Sequence, residues 1–417
     1  MEVSNPKDYP VRWLSVAFTR PEPVAEGAET EARLIERMLT SGAADIVHLR
    51  KPGAPVEYLA ALLDALPERW RRRVMLHDHF ELTGRFGLRG VQLNSRNRVA
   101  PSEAASTSVS CHTLEEVESL AQSVGYVTLS PIFDSISKSG YRAAFPLESV
   151  AGKLPAGKVI ALGGVTPADL FRLRRAGFAG SAMLGWWWHG DFDRRLREAC
   201  LRLMLLRSFP LLLITHSADP DENLRQAREA YAGGCRWVQV RMKEGTTEQR
   251  AAVAKEIMAQ CPGMLVCIDD DCEAVALSGA HGVHLGKQDI STREARAILG
   301  DAPILGRTAN SIGDIQEIAA EGGVDYLGVG PLRFTTTKQR LAPVLGYEGY
   351  REIVAAMRAE EIDLPLLAIG GVTPQDVPEL LAAGVDGIAV SGAINNAPDP
   401  AAATLRFLAA LRNPDKP

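Results

Sequence analysis

The chain has 417 residues, of which 46% are hydrophobic and 23% are charged, and its formal net charge is −5 at pH 7. These values are ordinary for globular proteins and leave room for two domains with full hydrophobic cores. Because no long basic run is present, nothing in the composition favours nucleic acid as a partner.

The first residues, MEVSNPKDYPVRWLSVAF, include early acids and prolines and no long apolar core, so they do not resemble a signal peptide. The longest apolar run, LRLMLLRSFPLLLIT, is interrupted by Arg202, Arg207 and Pro210 and is too short to span a bilayer. The six cysteines have no paired CxxC spacing, which argues against a disulfide framework and a zinc site. We therefore expect a soluble cytoplasmic protein that does not bind membranes.

Both halves of the chain alternate short apolar runs with amphipathic stretches. In the first half the runs extend from LSVAF to GSAML, and in the second half they are LLLIT, RWVQVR, LVCID, GVHL, ILGRT, YLGVG, LLAI and GIAV. Eight apolar strands that are each followed by a helix predict a closed parallel barrel. In the first half, HDHF could suggest a metal pair of His77 and His79, but no third ligand stands at a suitable spacing, so we predict no metal there.

An internal repeat relates the two halves. VIALGGVTPADLFRLRRAGFAG matches LLAIGGVTPQDVPELLAAGVDG, RGVQLNSRN matches HGVHLGKQD, and VHLRKP matches VQVRMKE, in the same order. The fold class predicted is therefore α/β, with two tandem (β/α)8 barrels over residues 1–207 and 208–417. The seam is expected near Ser208, after the helix FDRRLREACLRLMLL.

Polar residues of the second half concentrate where its strands end, which is where such barrels carry their reacting groups. Asp270 and Asp289 offer oxygen ligands to Mg²⁺, and Arg241, Lys243 and Lys338 could neutralise a departing pyrophosphate. The loop FTTTK adds hydroxyls, and the pairs Gly370-Gly371 and Ser391-Gly392 let backbone N–H groups approach a phosphate. Each feature alone is also compatible with a solvated or tight turn, but seven polar strand ends together favour a site for a phosphorylated substrate and a divalent ion.

Six ordered motifs between Leu211 and Ala397 carry a resemblance to a known family. They are QVRMK, IDDD with GVHLGKQD, GRTANS, GVGPLRFTTTK, LAIGGV and IAVSGAI. They resemble thiamine phosphate synthase, which joins a hydroxymethylpyrimidine pyrophosphate to a thiazole phosphate and releases pyrophosphate and thiamine phosphate. The resemblance implies Mg²⁺ as the cofactor and these two compounds as substrates, and it leaves open whether the chain forms a homo-oligomer.

The resemblance also implies a role for each matching residue. The pyrimidine pyrophosphate would be held by Gln239, Arg241, Lys243, Asp269 and Lys338, and Mg²⁺ by Asp270 and Asp289. Lys338, Thr308 and Arg241 are the implied catalytic residues, with Thr308 near the reacting centre. The phosphates would be held by Thr335, Thr337, Gly370, Gly371, Val390 and Ser391, the last four mainly binding that of the thiazole. This chain departs from the family pattern at Asp269, where Asn is usual, and at Lys287, where Gln is usual.

The first half has lost parts of this pattern. GVQLNSRN has no acid at the place of Asp289, and GSAMLGWWW has no Ser at the place of Ser391, whereas Arg50, Lys51 and the loop ending at Lys138 could still bind phosphate. This half resembles the thiazole tautomerase relatives of the synthase, whose His after strand five would be His112. That resemblance implies proton transfer on a carboxythiazole phosphate, for which imidazole is suited.

Three alternatives remain open from the sequence. The first half could be a degenerate barrel kept for stability or dimer contacts. The whole chain could be a binding or scaffold protein for thiamine precursors, although such a protein has no reason to keep Asp270, Asp289 and Lys338 together. A different phosphate-using barrel enzyme, such as a sugar-phosphate isomerase, is disfavoured by the Asp pair and the TTTK loop.

Overall fold

The computed structural model describes residues 13–136, 140, 142–334 and 343–412. The chain divides into two compact units between Leu203 and Met204. Each unit is a closed barrel of eight parallel strands in sequential order, so the predicted pair of (β/α)8 barrels is confirmed. Among the helices in these ranges, none has the length and hydropathy needed to cross a membrane.

The first barrel contains eight strands. They are β1 (Leu14–Phe18), β2 (Ile46–Leu49), β3 (Val74–Leu76), β4 (Gly90–Leu93), β5 (Ser106–Cys111), β6 (Tyr126–Leu129), β7 (Val159–Leu162) and β8 (Gly180–Met183). Its helices are α1 (Ala28–Thr40), α2 (Val56–Ala65), α3 (Glu68–Arg71), α4 (Leu82–Phe86), α5 (Leu114–Leu120), α6 (Leu147–Val150), α7 (Leu170–Arg175) and α8 (Gly185–Trp188), with a 3₁₀ turn over Pro167–Asp169. Helix α9 (Phe192–Ser208) contains the boundary between the units.

The second barrel repeats this order. Its strands are β9 (Leu211–Ile214), β10 (Trp237–Val240), β11 (Leu265–Asp269), β12 (Gly282–Leu285), β13 (Ile304–Ala309), β14 (Tyr326–Val329), β15 (Leu366–Ile369) and β16 (Gly387–Val390). Its helices are α10 (Pro220–Ala232), α11 (Thr247–Gln260), α12 (Cys272–Ser278), α13 (Thr292–Leu299), α14 (Ile312–Glu321), α15 (Gly346–Ala359), α16 (Val377–Ala382), α17 (Gly392–Asn395) and α18 (Pro400–Arg412), with a 3₁₀ turn over Pro374–Asp376.

Local sequence signals explain where the second barrel's helices begin. Thr246 caps α11 by accepting a hydrogen bond from the Gln249 N–H, and the Gln249 side chain accepts one from the Thr246 N–H in return. Ser291 and Glu294 form the same reciprocal cap on α13. These caps satisfy N–H groups that a helix leaves without partners at its start, and they end each loop at a defined residue.

The strands bury both faces, which is why they appear in the sequence as continuous apolar runs. In β10, β12, β14 and β16 all four residues are buried. Alternate side chains point into the barrel, and the register places Asp269 opposite His284 and Thr308 opposite Gly328. Polar residues at the carboxyl ends of the strands therefore meet at one mouth.

Candidate active site

A cavity of about 800 Å³ lies at the carboxyl ends of the second barrel's strands. Every predicted site residue of this barrel that lies within the described ranges contributes to its wall. These residues are Gln239, Arg241, Lys243, Asp269, Asp270, Asp289, Thr308, Gly370, Gly371, Val390 and Ser391. Thr335, Thr337 and Lys338 lie outside the described residues. The sequence pattern therefore indicated a set of side chains that the fold does bring to one cavity.

Asp270 and Asp289 lie next to each other at this mouth. The Asp270 N–H donates to the His284 carbonyl at 2.8 Å, and Asp289 Oδ2 accepts a hydrogen bond from the Gly286 N–H at 2.5 Å. A side chain on Gly286 would place its Cβ 3.0 Å from Asp289 Oδ2, so a bare backbone leaves room for the carboxylate. Burial, the charge of Asp269 and the hydrogen bond with Asp289 together raise the pKa of Asp270 well above its ordinary value.

The Asp269 side chain contacts one residue on β10 and one residue that follows this strand. Its carboxylate accepts a hydrogen bond from Gln239 Nε2, and its Oδ2 lies 3.2 Å from Arg241 Nε. Lys287 instead forms an ion pair with Asp314, at 2.7 Å. The additional negative charge at Asp269 is therefore countered by Arg241.

The sequence analysis missed a buried group beneath these residues. His284 Nε2 lies 2.9 Å from Thr308 Oγ1 and its Nδ1 lies 3.1 Å from the Tyr326 hydroxyl. A Cβ on Gly328 would come within 3.1 Å of His284 Cε1, so glycine at this position makes room for the imidazole. Thr308, which was predicted near the reacting centre, is thereby held in place from below. A polar residue inside the apolar run GVHL was the signal that could have revealed this contact.

Gly370 and Gly371 form an exposed turn of bare backbone at the end of β15. Both have positive φ angles, 94° and 75°, and a Cβ on Gly370 would lie 2.6 Å from Pro331 Cβ. Arg333 steadies the turn by donating to the Gly371 carbonyl and to Asp376, each at 2.8 Å. Burial alone would raise the pKa of Asp376, but hydrogen bonds from Arg333, Tyr347 and Thr373 hold it at about 2. The turn is therefore held in a fixed shape by Arg333 and Asp376, which do not line the cavity themselves.

Comparison with known proteins identifies a family and individual relatives with similar sequences. The family model described as "Thiamine monophosphate synthase" matches residues 16–185 and 211–394. The thiamine-phosphate synthases of Bacteroides fragilis and Bacteroides thetaiotaomicron are each 46% identical to this chain over 200 residues. The match covers 48% of this chain and 98% and 95%, respectively, of those proteins.

The chain belongs to the thiamine monophosphate synthase family. Both halves match the family model, which agrees with the internal repeat. A solved thiamine phosphate pyrophosphorylase from Pyrococcus furiosus is 30% identical, with a TM-score of 0.44, and the match covers 50% of this chain and 98% of that one.

The first barrel, although a member of the same family, has different chemistry where the second has its carboxylate pair. Asp78 follows β3 as Asp270 follows β11, but it forms an ion pair with Arg96 at 2.9 Å. Asn97 stands at the place of Asp289 and donates to Asp78 at 3.4 Å. A guanidinium thus neutralises the one carboxylate that remains at these two positions, where the second barrel has its acidic pair.

Histidines fill part of the first barrel's interior. His48, at the position of Gln239, contacts His77 Nε2 through Nδ1 at 3.0 Å and the Tyr126 hydroxyl through Nε2. Burial, with a smaller effect of Arg89, lowers the pKa of His48 to about 3, and burial also lowers the pKa of His77. His79 lies apart from this group and contacts the Ala54 carbonyl and Glu81. His77 and His79 therefore have different partners in the first barrel.

Two candidate residues of the first barrel have structural partners. Lys51 was expected to help bind phosphate, but its Nζ lies 2.6 Å from Glu31 and both side chains are fully buried, so that expectation is wrong. The exposed His112 contacts the Ser130 carbonyl through Nδ1 at 3.0 Å, while its backbone N–H donates to Glu116. In the second barrel Asn310 makes the corresponding contact with the Gly330 carbonyl.

The buried His48 predicts a pH dependence of stability. An unfolded chain protonates this residue below its ordinary pKa of 6.5, whereas the folded barrel keeps it neutral down to about pH 3. Folding stability is therefore lost as the pH falls below 6.5. Between pH 6.5 and pH 5, we expect His48→Gln to lose about 2 kcal/mol less folding stability than the wild type does. This substitution introduces the residue found at position 239.

Denaturant unfolding at the two pH values, followed by tryptophan fluorescence, measures this effect. Five of the six tryptophans report on the first unit: Trp13, Trp70, Trp186, Trp187 and Trp188. The control is His189→Gln, which removes an exposed histidine of the same unit and should keep the wild-type pH dependence. An unchanged pH dependence in His48→Gln would contradict the assignment.

Proposed function

We propose that the second barrel catalyses the Mg²⁺-dependent coupling of hydroxymethylpyrimidine pyrophosphate with a thiazole phosphate, forming thiamine phosphate and pyrophosphate. The observation that carries the proposal is that Asp270 and Asp289 share one cavity with Arg241 and Lys243 and with the bare Gly370-Gly371 turn. Family membership and the relatives that are named thiamine-phosphate synthase support it.

The donor set at this mouth fits Mg²⁺. Two adjacent carboxylates, with the remaining positions left to water and substrate phosphate, are what this ion commonly takes from a protein. The raised pKa of Asp270 reflects its burial first and then the nearby carboxylates of Asp269 and Asp289. When bound, Mg²⁺ would stabilise the negative charge that develops on the departing pyrophosphate.

The protein's own groups bind and orient the two substrates and neutralise the charge of the departing pyrophosphate. Arg241 and Lys243 face the cavity, and their positive charges favour breakage of the bond between the pyrimidine methylene carbon and the pyrophosphate oxygen. The N–H groups near Gly370 and Ser391 suit the phosphate of the thiazole. This phosphate anchor would aim the thiazole nitrogen at the methylene carbon, where the new C–N bond forms. The reaction therefore needs no side-chain nucleophile.

For the first barrel we propose proton transfer on a carboxythiazole phosphate, with His112 as the base. The supporting observation is the contact of its Nδ1 with the Ser130 carbonyl. A carbonyl only accepts, so a neutral imidazole must keep its proton on Nδ1, and Nε2 carries the lone pair. The rival account is that His112 only braces this carbonyl, because Asn310 makes the same contact in the second barrel without a basic nitrogen.

Substitution of the acidic pair tests the coupling reaction in the full chain. We expect Asp270→Ala and Asp289→Ala each to lower kcat/KM for thiamine phosphate formation by at least about a hundredfold, because each removes a metal ligand. The matched control is Asp78→Ala, at the corresponding place in the first barrel, which should retain near wild-type activity. Activity near wild type in both second-barrel variants would refute the metal assignment, and a large loss in Asp78→Ala would refute the assignment of coupling to the second barrel.

A second experiment separates the two accounts of His112. The full chain is given the non-aromatic carboxythiazole phosphate without the pyrimidine, and aromatisation is followed by absorbance. We expect His112→Asn to lose the enzymatic rate, because asparagine can keep the contact with the Ser130 carbonyl, as Asn310 does with Gly330, but provides no basic nitrogen. An unchanged rate in this variant, or a wild-type rate equal to the spontaneous one, would leave His112 a structural residue.

A further inference from the structure

One ion pair at the cavity joins a cation to a carboxylate of the protein itself. Arg241, which the proposed reaction needs for the pyrophosphate, has its Nε 3.2 Å from Asp269 Oδ2. The two side chains are only 18% and 12% exposed, so water screens this pair weakly. Any diphosphate that approaches Arg241 therefore meets a cation whose charge is already partly balanced.

Asp269 is held in this position by a second contact. Gln239 Nε2 donates to Asp269 Oδ1, and both residues line the cavity. The carboxylate is thus fixed between β10 and β11 and cannot simply swing away when an anion arrives. Its negative charge stays beside Asp270 and Asp289, on the side of the cavity where Arg241 and Lys243 must attract a diphosphate.

We propose that Asp269 is an internal competitor of the diphosphate group: it orients Arg241 but offsets its charge, which weakens the binding of pyrophosphate and lets this product leave. The inference rests on the proposed coupling reaction and assigns Asp269 a positioning role in it. A site with Arg241 and Lys243 and no such carboxylate would hold a highly charged product tightly, since each charge-assisted hydrogen bond to phosphate is strong. Product release limits the turnover of many enzymes, so weaker binding of the product is an advantage.

The test is Asp269→Asn in the full chain, with inorganic pyrophosphate as the probe in isothermal titration calorimetry. Asparagine keeps the shape of the side chain and one acceptor oxygen, which can face Arg241 while its NH2 group faces the Gln239 amide, and it removes the charge. We expect Asp269→Asn to tighten pyrophosphate binding about tenfold, both in EDTA and in Mg²⁺. In steady-state assays the inhibition constant of pyrophosphate should fall similarly, while the KM for the thiazole phosphate stays unchanged.

The chain offers a closely matched control. Asp271 also follows β11 and forms an ion pair with an arginine, Arg250, at 3.0 Å and with similar exposure. It caps α12 and is not part of the cavity wall, and asparagine can serve as a helix cap as well. Asp271→Asn should therefore change pyrophosphate affinity less than twofold.

The possible results distinguish a failure of this inference from a failure of the proposed function. Equal or weaker pyrophosphate binding by Asp269→Asn would overturn the inference and leave the proposed function standing. Tightening that occurs only in Mg²⁺ would also overturn it, because the charge would then act through the metal site and not on Arg241. If neither wild type nor variant binds pyrophosphate under either condition, the proposed function fails, and the inference fails with it.

Discussion

Mutual repulsion among three carboxylates at one mouth is the constraint on which the second barrel's site depends. Asp269, Asp270 and Asp289 are brought together because parallel strands of a closed barrel end at the same rim. Arg241 balances Asp269, whereas burial, the charge of Asp269 and the hydrogen bond with Asp289 raise the pKa of Asp270. An arrangement of this kind is unfavourable for the isolated protein and becomes favourable once a divalent cation is bound, which is why we regard it as a binding site and not as a structural feature.

The first barrel has the same backbone fold, but it does not have three carboxylates at the corresponding positions. Its turn at Gly163 and Gly164 has φ angles of 94° and 66°, close to those of Gly370 and Gly371. Arg96 neutralises the remaining acid, and His48 and His77 stand at the places of Gln239 and Asp269. The duplicated fold was therefore retained while the electrostatics of the mouth changed, so shared architecture alone cannot assign the first barrel's activity.

Much of this could be predicted from the sequence, because strand ends are visible in it. An apolar run that stops at a carboxylate, as LVCID does at Asp269, gives both the strand and the position of the polar group. The partner of each polar group could not be predicted, since partners come from distant segments: Lys51 pairs with Glu31, Lys287 with Asp314, and His112 with the Ser130 carbonyl. His284 was overlooked because a single histidine in a buried strand looks the same in the sequence whether or not it holds another side chain.

The central claim is that one cation site exists, between Asp270 and Asp289, and that pyrophosphate binds beside it. A crystal structure of the full chain with Mn²⁺ and pyrophosphate tests this most directly, because the anomalous scattering of Mn²⁺ locates the ion independently of the protein. We predict an anomalous peak within coordination distance of both carboxylates, with pyrophosphate oxygens contacting the ion and Arg241, and no peak beside Asp78 in the first barrel. A peak at Asp78, or pyrophosphate bound away from the Asp270 and Asp289 pair, would contradict the account.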